Sequence, residues 1–128
     1  MARVLVVDDE CAVREVLLQS LEDAGFEAKA VGGGREALRE LCRATADDEP
    51  YDAMVLDIIM PEIDGWQVLE AVNNNPLWDH MPVVVISGQA NGTGDVARVC
   101  DFGGFFVEKR GNFVEVISAA LGRLLPAA

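Results

Sequence analysis

The stretch Arg3-Val4-Leu5-Val6-Val7-Asp8-Asp9-Glu10 decides the fold. A short, continuous apolar run from Arg3 to Val7, without alternating polar positions, marks a strand buried on both faces. The run stops on acids, too soon for a signal-peptide core. From Cys11 to Ala24 the period becomes helical, with Val13, Val16, Leu17, Leu21 and Ala24 on one stripe. Gly25 ends that helix as a residue tolerant of left-handed geometry.

The same alternation continues outward from this unit. Phe26 to Val31 reads as a weaker strand, because Glu27 and Lys29 alternate outward as at a sheet edge. Gly32-Gly33-Gly34 is a loop without the G-x-G-x-x-G spacing or the P-loop lysine, and the helix after it places Ala37, Leu38, Leu41 and Cys42 inward. Asp47-Asp48-Glu49-Pro50 breaks that helix, and Ala53 to Leu56 is a third strand ending at Asp57. Asp64-Gly65 turns the chain into a helix near Trp66 to Val72, and Pro82 opens a fourth strand, Val83 to Ile86. A glycine-rich stretch from Ser87 to Gly94 precedes a short helix through Ala97 and Cys100, which is expected to begin late. Phe105 to Val107 is the fifth strand, and Phe113, Val116, Ile117, Ala120, Leu121 and Leu124 form the buried side of the last helix. Five strands alternating with five helices over short connections imply one doubly wound α/β domain over residues 1–128, a parallel sheet covered by helices on both faces.

Composition excludes other classes. The 128 residues carry 22 acidic side chains against 10 basic ones, so a direct nucleic-acid binder or a protein docked on an anionic membrane is not expected. A hydrophobic share of 51% is enough to build a core, which excludes a disordered acidic chain. No apolar run approaches the roughly 18–20 residues that span a bilayer. Cys11, Cys42 and Cys100 are odd in number and widely spaced, which argues against a disulfide framework or a zinc site and fits the cytoplasm. Each lies in a helical pattern, and a role as small core filler is expected.

In an open parallel sheet, ligands bind beyond the carboxyl ends of the strands. Those ends carry Asp8-Asp9-Glu10, Asp57 and Ser87, and the fifth strand leads to Lys109. Carboxylates gathered there repel one another, and a hard divalent cation relieves the repulsion; oxygen donors favour magnesium, or manganese, over zinc. Magnesium commonly uses one or two carboxylates plus a phosphate, which leaves another carboxylate as a nucleophile toward phosphorus. The Ser87 hydroxyl and the Lys109 ammonium are the donors at hand for the charge so created.

The arrangement resembles the receiver domain of two-component response regulators, and especially the single-domain chemotaxis regulators. The resemblance rests on Asp8-Asp9 after Val4-Leu5-Val6-Val7, on Asp57-Ile58-Ile59-Met60-Pro61-Glu62-Ile63-Asp64-Gly65, on Ser87 after Val83-Val84-Val85-Ile86, and on Gly104-Phe105-Phe106-Val107-Glu108-Lys109. It implies a flavodoxin-like sheet of order 2-1-3-4-5 and phosphorylation of Asp57 by a histidine kinase or histidine phosphotransfer protein. It further implies that Asp9 binds Mg2+ directly, Asp8 through water, Asp57 through its carboxylate and Ile59 through its backbone carbonyl. Ser87 corresponds to the switch hydroxyl, Lys109 to the phosphate-pairing lysine and Phe106 to the switch aromatic, here without a phenolic group. A signalling switch of this kind is not an enzyme beyond its own phosphotransfer and autodephosphorylation. It passes its state to a downstream protein target as a monomer or weak dimer. The sequence ends at Leu125-Pro126-Ala127-Ala128, which suits a stand-alone regulator, and a piece of a longer regulator would look the same.

One departure concerns Arg110, which follows Lys109 where the family usually has a proline after a cis peptide bond; the bond here is either trans or strained. Other readings stay open at this point. The acids at residues 8–10 suit a helix N-terminus, Ser87 suits a turn, and Phe106 suits a core. A degenerate receiver acting as a phosphorylation-independent binding module is the main alternative, favoured by Arg110 and the glycines. A haloacid-dehalogenase-type phosphatase would want an acid where Ile59 stands, and a flavin protein would absorb visible light.

Overall fold

The runs that carry no outward-facing polar residue become the centre of the sheet. A computed structural model of the chain describes residues 1–88, 93–102 and 104–125. Among them β1 (Arg3–Val7), β2 (Glu27–Val31), β3 (Ala53–Asp57), β4 (Val83–Ser87) and β5 (Phe105–Glu108) alternate with α1 (Cys11–Asp23), α2 (Gly34–Ala46), α3 (Gly65–Asn73), α4 (Thr93–Asp101) and α5 (Phe113–Leu124). The sheet is parallel throughout, in the order β2-β1-β3-β4-β5. This is the flavodoxin-like order that the resemblance implies. Strands β1, β3 and β4, each with four consecutive apolar residues, lie inside, while β2, with Glu27 and Lys29 exposed, forms one edge.

Successive strand residues point to opposite faces. Val4, Val6, Val55, Val84 and Ile86 therefore pack with Leu17 and Leu21 of α1 and Ile117 and Leu121 of α5. Leu5, Val7, Met54, Leu56 and Val85 pack on the other face with Leu41 of α2, Val68 and Leu69 of α3 and Val99 of α4. Two helices thus cover one side and three the other.

The buried arcs of α1, α2, α4 and α5 are narrower than their apolar sequence patterns. Val16 is 54% exposed, Val116 is 42% exposed, and Cys11, Cys42 and Cys100 are all exposed, so the cysteines are not core filler. Four of these residues stand one position from a buried one: Val16 beside Leu17, Cys42 beside Leu41, Cys100 beside Val99, and Val116 beside Ile117. One residue is about 100° around the helix, enough to leave a flat sheet. Ala24 is exposed as well, because the helix has already ended there. Gly25 continues the chain at φ +94°, the left-handed conformation expected of it.

Several boundaries move by one residue in the direction that matters for the site. β3 and β4 run on to include Asp57 and Ser87. α4 begins at Thr93 and takes in Gly94, and residues 89–92 of the glycine-rich stretch lie outside the described residues. No cis peptide bond occurs among the described residues, so the Lys109–Arg110 bond is trans.

α3 is held close beneath the end of β3. Asp64 caps it in a reciprocal capping box with Gln67, the structural role expected of Asp64-Gly65. The Gly65 N–H donates to the Ile58 carbonyl at 2.8 Å, and a Cβ on Gly65 would stand 2.4 Å from the Asp57 carbonyl oxygen and 2.4 Å from the Ile58 Cα. Neither backbone atom can turn aside. Gly65→Ala is therefore expected to lower unfolding free energy by about 1–3 kcal/mol. Gly122→Ala in α5, with open space around it, should raise it by roughly 0.5–1 kcal/mol, both read by urea denaturation.

At the opposite end of the sheet, α2 carries a buried acid. Glu40 takes a two-pronged contact from Arg43, at 2.8 Å and 2.7 Å, and further bonds from Lys29 and the Tyr51 hydroxyl. The Arg43 guanidinium holds the Glu40 carboxyl at about 2, against an ordinary 4.5, with Tyr51 and Lys29 assisting against the cost of burial. A depressed carboxylate stabilises the fold fully above its unfolded value and less as pH falls through its folded one. The urea midpoint should therefore drop between pH 4.5 and about 2, and Glu40→Gln should flatten that part of the profile.

Candidate functional site

Parallel pairing brings the carboxyl ends of all five strands to one edge of the sheet. β1 and β3 are in register at Val7 and Leu56, so Asp8 and Asp57 follow side by side. Asp57 pairs with Ile86 on β4, and Ser87 with Glu108 on β5, which places Lys109 next in line. The Lys109 N–H donates to the Ser87 carbonyl at 2.9 Å, tying the ends of the last two strands together.

Asp8, Asp57 and Ser87 are buried, unusual for polar residues and most unusual for two acids. The Lys109 ammonium reaches into this group, 2.8 Å from Asp8 Oδ2 and 3.2 Å from Asp57 Oδ2, and it also meets Glu10 Oε1. The other oxygens are held by backbone: Asp8 Oδ1 accepts from the Glu10 N–H at 2.8 Å, and Asp57 Oδ1 from the Ile59 N–H at 3.1 Å. Arg14 donates to the Asp8 carbonyl at 2.8 Å, bracing the turn from β1 into α1. Asp9 stands exposed at the rim. An open cleft of about 280 Å³ lies above, lined by Asp9, Glu10, Asp57, Ile59, Gly88 and Lys109.

Charge in the cleft is not balanced. Burial, and next the neighbouring Asp8, push the Asp57 carboxyl up to about 6, although Lys109 and the Ile59 N–H pull the other way. Burial works against the Lys109 ammonium too, but Asp8, Glu10 and Asp57 outweigh it and raise its pKa. Carboxylate oxygens of Asp8, Asp9 and Asp57 lie within 4.8 Å of one another. Asp8 Oδ2 is buried and, apart from the ammonium beside it, has no hydrogen-bond donor. An all-oxygen set with one under-used buried carboxylate oxygen fits a hard divalent cation.

The structure thus brings together Asp8, Asp9, Asp57, Ile59 and Lys109, with Ser87 beside them at the end of β4. Phe106 is not in the cleft. On β5 it pairs with Val85 of β4 and packs, half-buried, against the α2–α3–α4 core. Arg14 was not singled out from the sequence, and Glu10 was read only as one of the strand-end acids, not as a partner of Lys109. Glu10 directly follows the acidic pair, and Arg14 lies one helical turn beyond it, which are the only signals either carries. Trp66, half-buried in α3, lies under the Arg98 guanidinium of α4 at 4.0 Å from its ring centre, so it links the Asp57 loop to that helix.

A raised carboxyl stabilises the fold below its unfolded value, and that contribution is lost as pH rises through the folded value. For Asp57 the loss runs from about pH 3.8 to about 6, and its cost is in place at neutral pH. With chelator present, Asp57→Asn should be more stable than the unsubstituted chain at pH 7 by about 1–2 kcal/mol. The gap should close below pH 4 and shrink when Mg2+ is added, as read by thermal unfolding.

Comparison with known proteins agrees with this geometry. The response regulator receiver domain family matches residues 4–120. The response regulator MprA of Mycolicibacterium vanbaalenii is 40% identical over 87 residues, 68% of this chain and 35% of that one. A probable transcriptional regulatory protein of Picosynechococcus is 33% identical over 94 residues, 72% of this chain and 37% of that one. The chain therefore spans about a third of the length of the curated relatives it matches. Among solved structures, the chemotaxis protein CheY4 of Vibrio cholerae superposes with a TM-score of 0.81 at 28% identity, covering 98% of this chain and 99% of that one. With the sheet order, the strand-end acids and the lysine all in place, the chain belongs to the response regulator receiver domain family of two-component systems.

Proposed function

We propose that this receiver domain, over residues 1–128, is a phosphoacceptor switch in which Asp57 takes a phosphoryl group from a histidine kinase or histidine phosphotransfer protein. The observation that carries the reading is the single ammonium of Lys109 shared between two buried carboxylates, Asp8 and Asp57. Such a cluster is costly to keep unless charge arriving in the cleft makes use of it. Receiver domains are signalling modules rather than classical enzymes, and the chemistry proposed here is confined to Asp57 itself.

Asp9 and Asp57 through their carboxylates, Asp8 through a water, and Ile59 through its backbone carbonyl, would hold Mg2+ or the similarly hard Mn2+. A cation bound there supplies positive charge that neutralises phosphoryl oxygens. The chain's own residues do the rest. An Asp57 oxygen attacks phosphorus and forms the O–P bond; the P–N or P–O bond to the donor breaks, and its electron pair leaves with the donor. Lys109 is already within 3.2 Å of Asp57, so its ammonium meets the added charge without a large movement. The buried Ser87 hydroxyl donates to a phosphoryl oxygen from the neighbouring strand end, and Phe106 repacks on β5 to pass the change to a downstream protein. With no phenolic oxygen, Phe106 acts by packing alone.

The alternative, a degenerate receiver that binds partners without phosphorylation, drew on Arg110 in place of proline. Lys109 reaches both buried acids with its bond to Arg110 trans and no proline in place, which favours the phosphoacceptor reading. We take the protein to act in the cytoplasm as a monomer or weak dimer. Among the described residues no helix is long and apolar enough to cross a membrane. Incubation with Mg2+ and acetyl phosphate should add one phosphoryl group by mass spectrometry, lost with chelator or in Asp57→Asn. Clean Mg2+ binding without uptake would instead favour the binding-module reading.

A further inference from the structure

We propose that Glu10 is a positioning residue for Lys109, holding its ammonium toward the mouth of the cleft until an anion at Asp57 takes that contact over. The inference rests on the phosphoacceptor reading and adds a control on the same site.

Glu10 occupies the N-cap position of α1 with extended backbone, φ -89° and ψ 113°, yet its side chain makes no capping hydrogen bond. Unpaired amides at a helix N-terminus are the ordinary partners of an acid so placed. The Glu10 carboxylate turns instead to Lys109, 99 residues away in sequence. Its backbone is fixed for this by the Asp8 carboxylate, which accepts the Glu10 N–H at 2.8 Å. Arg110, the next cation along the chain, points elsewhere and pairs with Glu108 at 2.7 Å.

An ammonium has three hydrogens to donate, and here three carboxylates meet it. The three contacts are unequal. The Asp8 and Asp57 side chains are 0% and 5% exposed and cannot regain water if the ammonium leaves, whereas Glu10 is 60% exposed and can. An anion entering the cleft therefore displaces Glu10, the contact that is cheapest to break. Glu10 also lines that cleft, so its negative charge opposes the same anion until it swings out. It keeps Lys109 in place and, by competing, weakens anion binding. A helix-capping role would do neither.

The test is titration of the full chain with beryllofluoride at saturating Mg2+, followed by backbone NMR shifts, with the Lys109 ammonium nitrogen observed before ligand is added. Glu10→Gln should lower the half-saturating concentration about two- to five-fold, the range for an exposed ion pair, and should shift the Lys109 signal in the ligand-free protein. Half-saturation that is unchanged or higher in Glu10→Gln, while the unsubstituted chain saturates normally, overturns the inference alone. Tighter binding with an unmoved Lys109 signal also overturns it, because charge repulsion without the contact would then suffice. Failure of the unsubstituted chain to saturate overturns the phosphoacceptor reading, and this inference with it.

Discussion

The Lys109 ammonium between Asp8 and Asp57 is the contact on which the site depends. Two carboxylates buried side by side would each need a counter-charge, and one side chain from the far end of the chain supplies it to both. The compensation is incomplete, since the Asp57 carboxyl is still pushed up to about 6 by burial and by Asp8. A cleft left short of positive charge favours a cation, and under the proposed function the lysine already in place would meet the oxygens of a phosphoryl group.

The fold makes this contact possible by stacking requirements in a fixed order. Apolar strands with no polar face must lie inside the sheet, so β1, β3 and β4 are central and their acids end adjacent to one another. Helices on both sides seal those acids from water, and the absence of a side chain at Gly65 lets α3 lie directly beneath the end of β3. The Ser87 carbonyl then receives the Lys109 N–H, which sets how far the lysine can reach. At the other end of the sheet, Glu40, Arg43, Lys29 and Tyr51 form a polar cluster with the opposite balance. Several donors converge on a single acid, and its carboxyl is depressed rather than raised. The same residue type thus follows opposite rules at the two ends of one sheet.

Much of this was legible in the sequence, because alternation of period and the position of a residue just after an apolar run are local signals. The strands and helices, the edge character of β2, the closing role of Gly25 and the gathering of Asp8, Asp57, Ser87 and Lys109 all follow from such signals. The breadth of the helical stripes was not legible. Val16, Cys42, Cys100 and Val116 are apolar and lie one residue from the seam, but whether a helix buries a wide or a narrow arc depends on the flatness of what it packs against. Phe106 shows the same limit: its strand was evident, but only the side-by-side register placed it in the α2–α3–α4 core and away from the cleft.

By itself, then, the sequence determined the alternation of elements and which chemical groups stand at the strand ends, since both depend on neighbours within a few residues. Tertiary structure alone decided which acids touch Lys109, that the adjoining Lys109–Arg110 bond is trans, and that Glu10 turns away from its own helix toward a residue 99 positions on. Those outcomes depend on distances between separate strands and on the competition among carboxylates for one ammonium. That competition exists only once the sheet has brought them together.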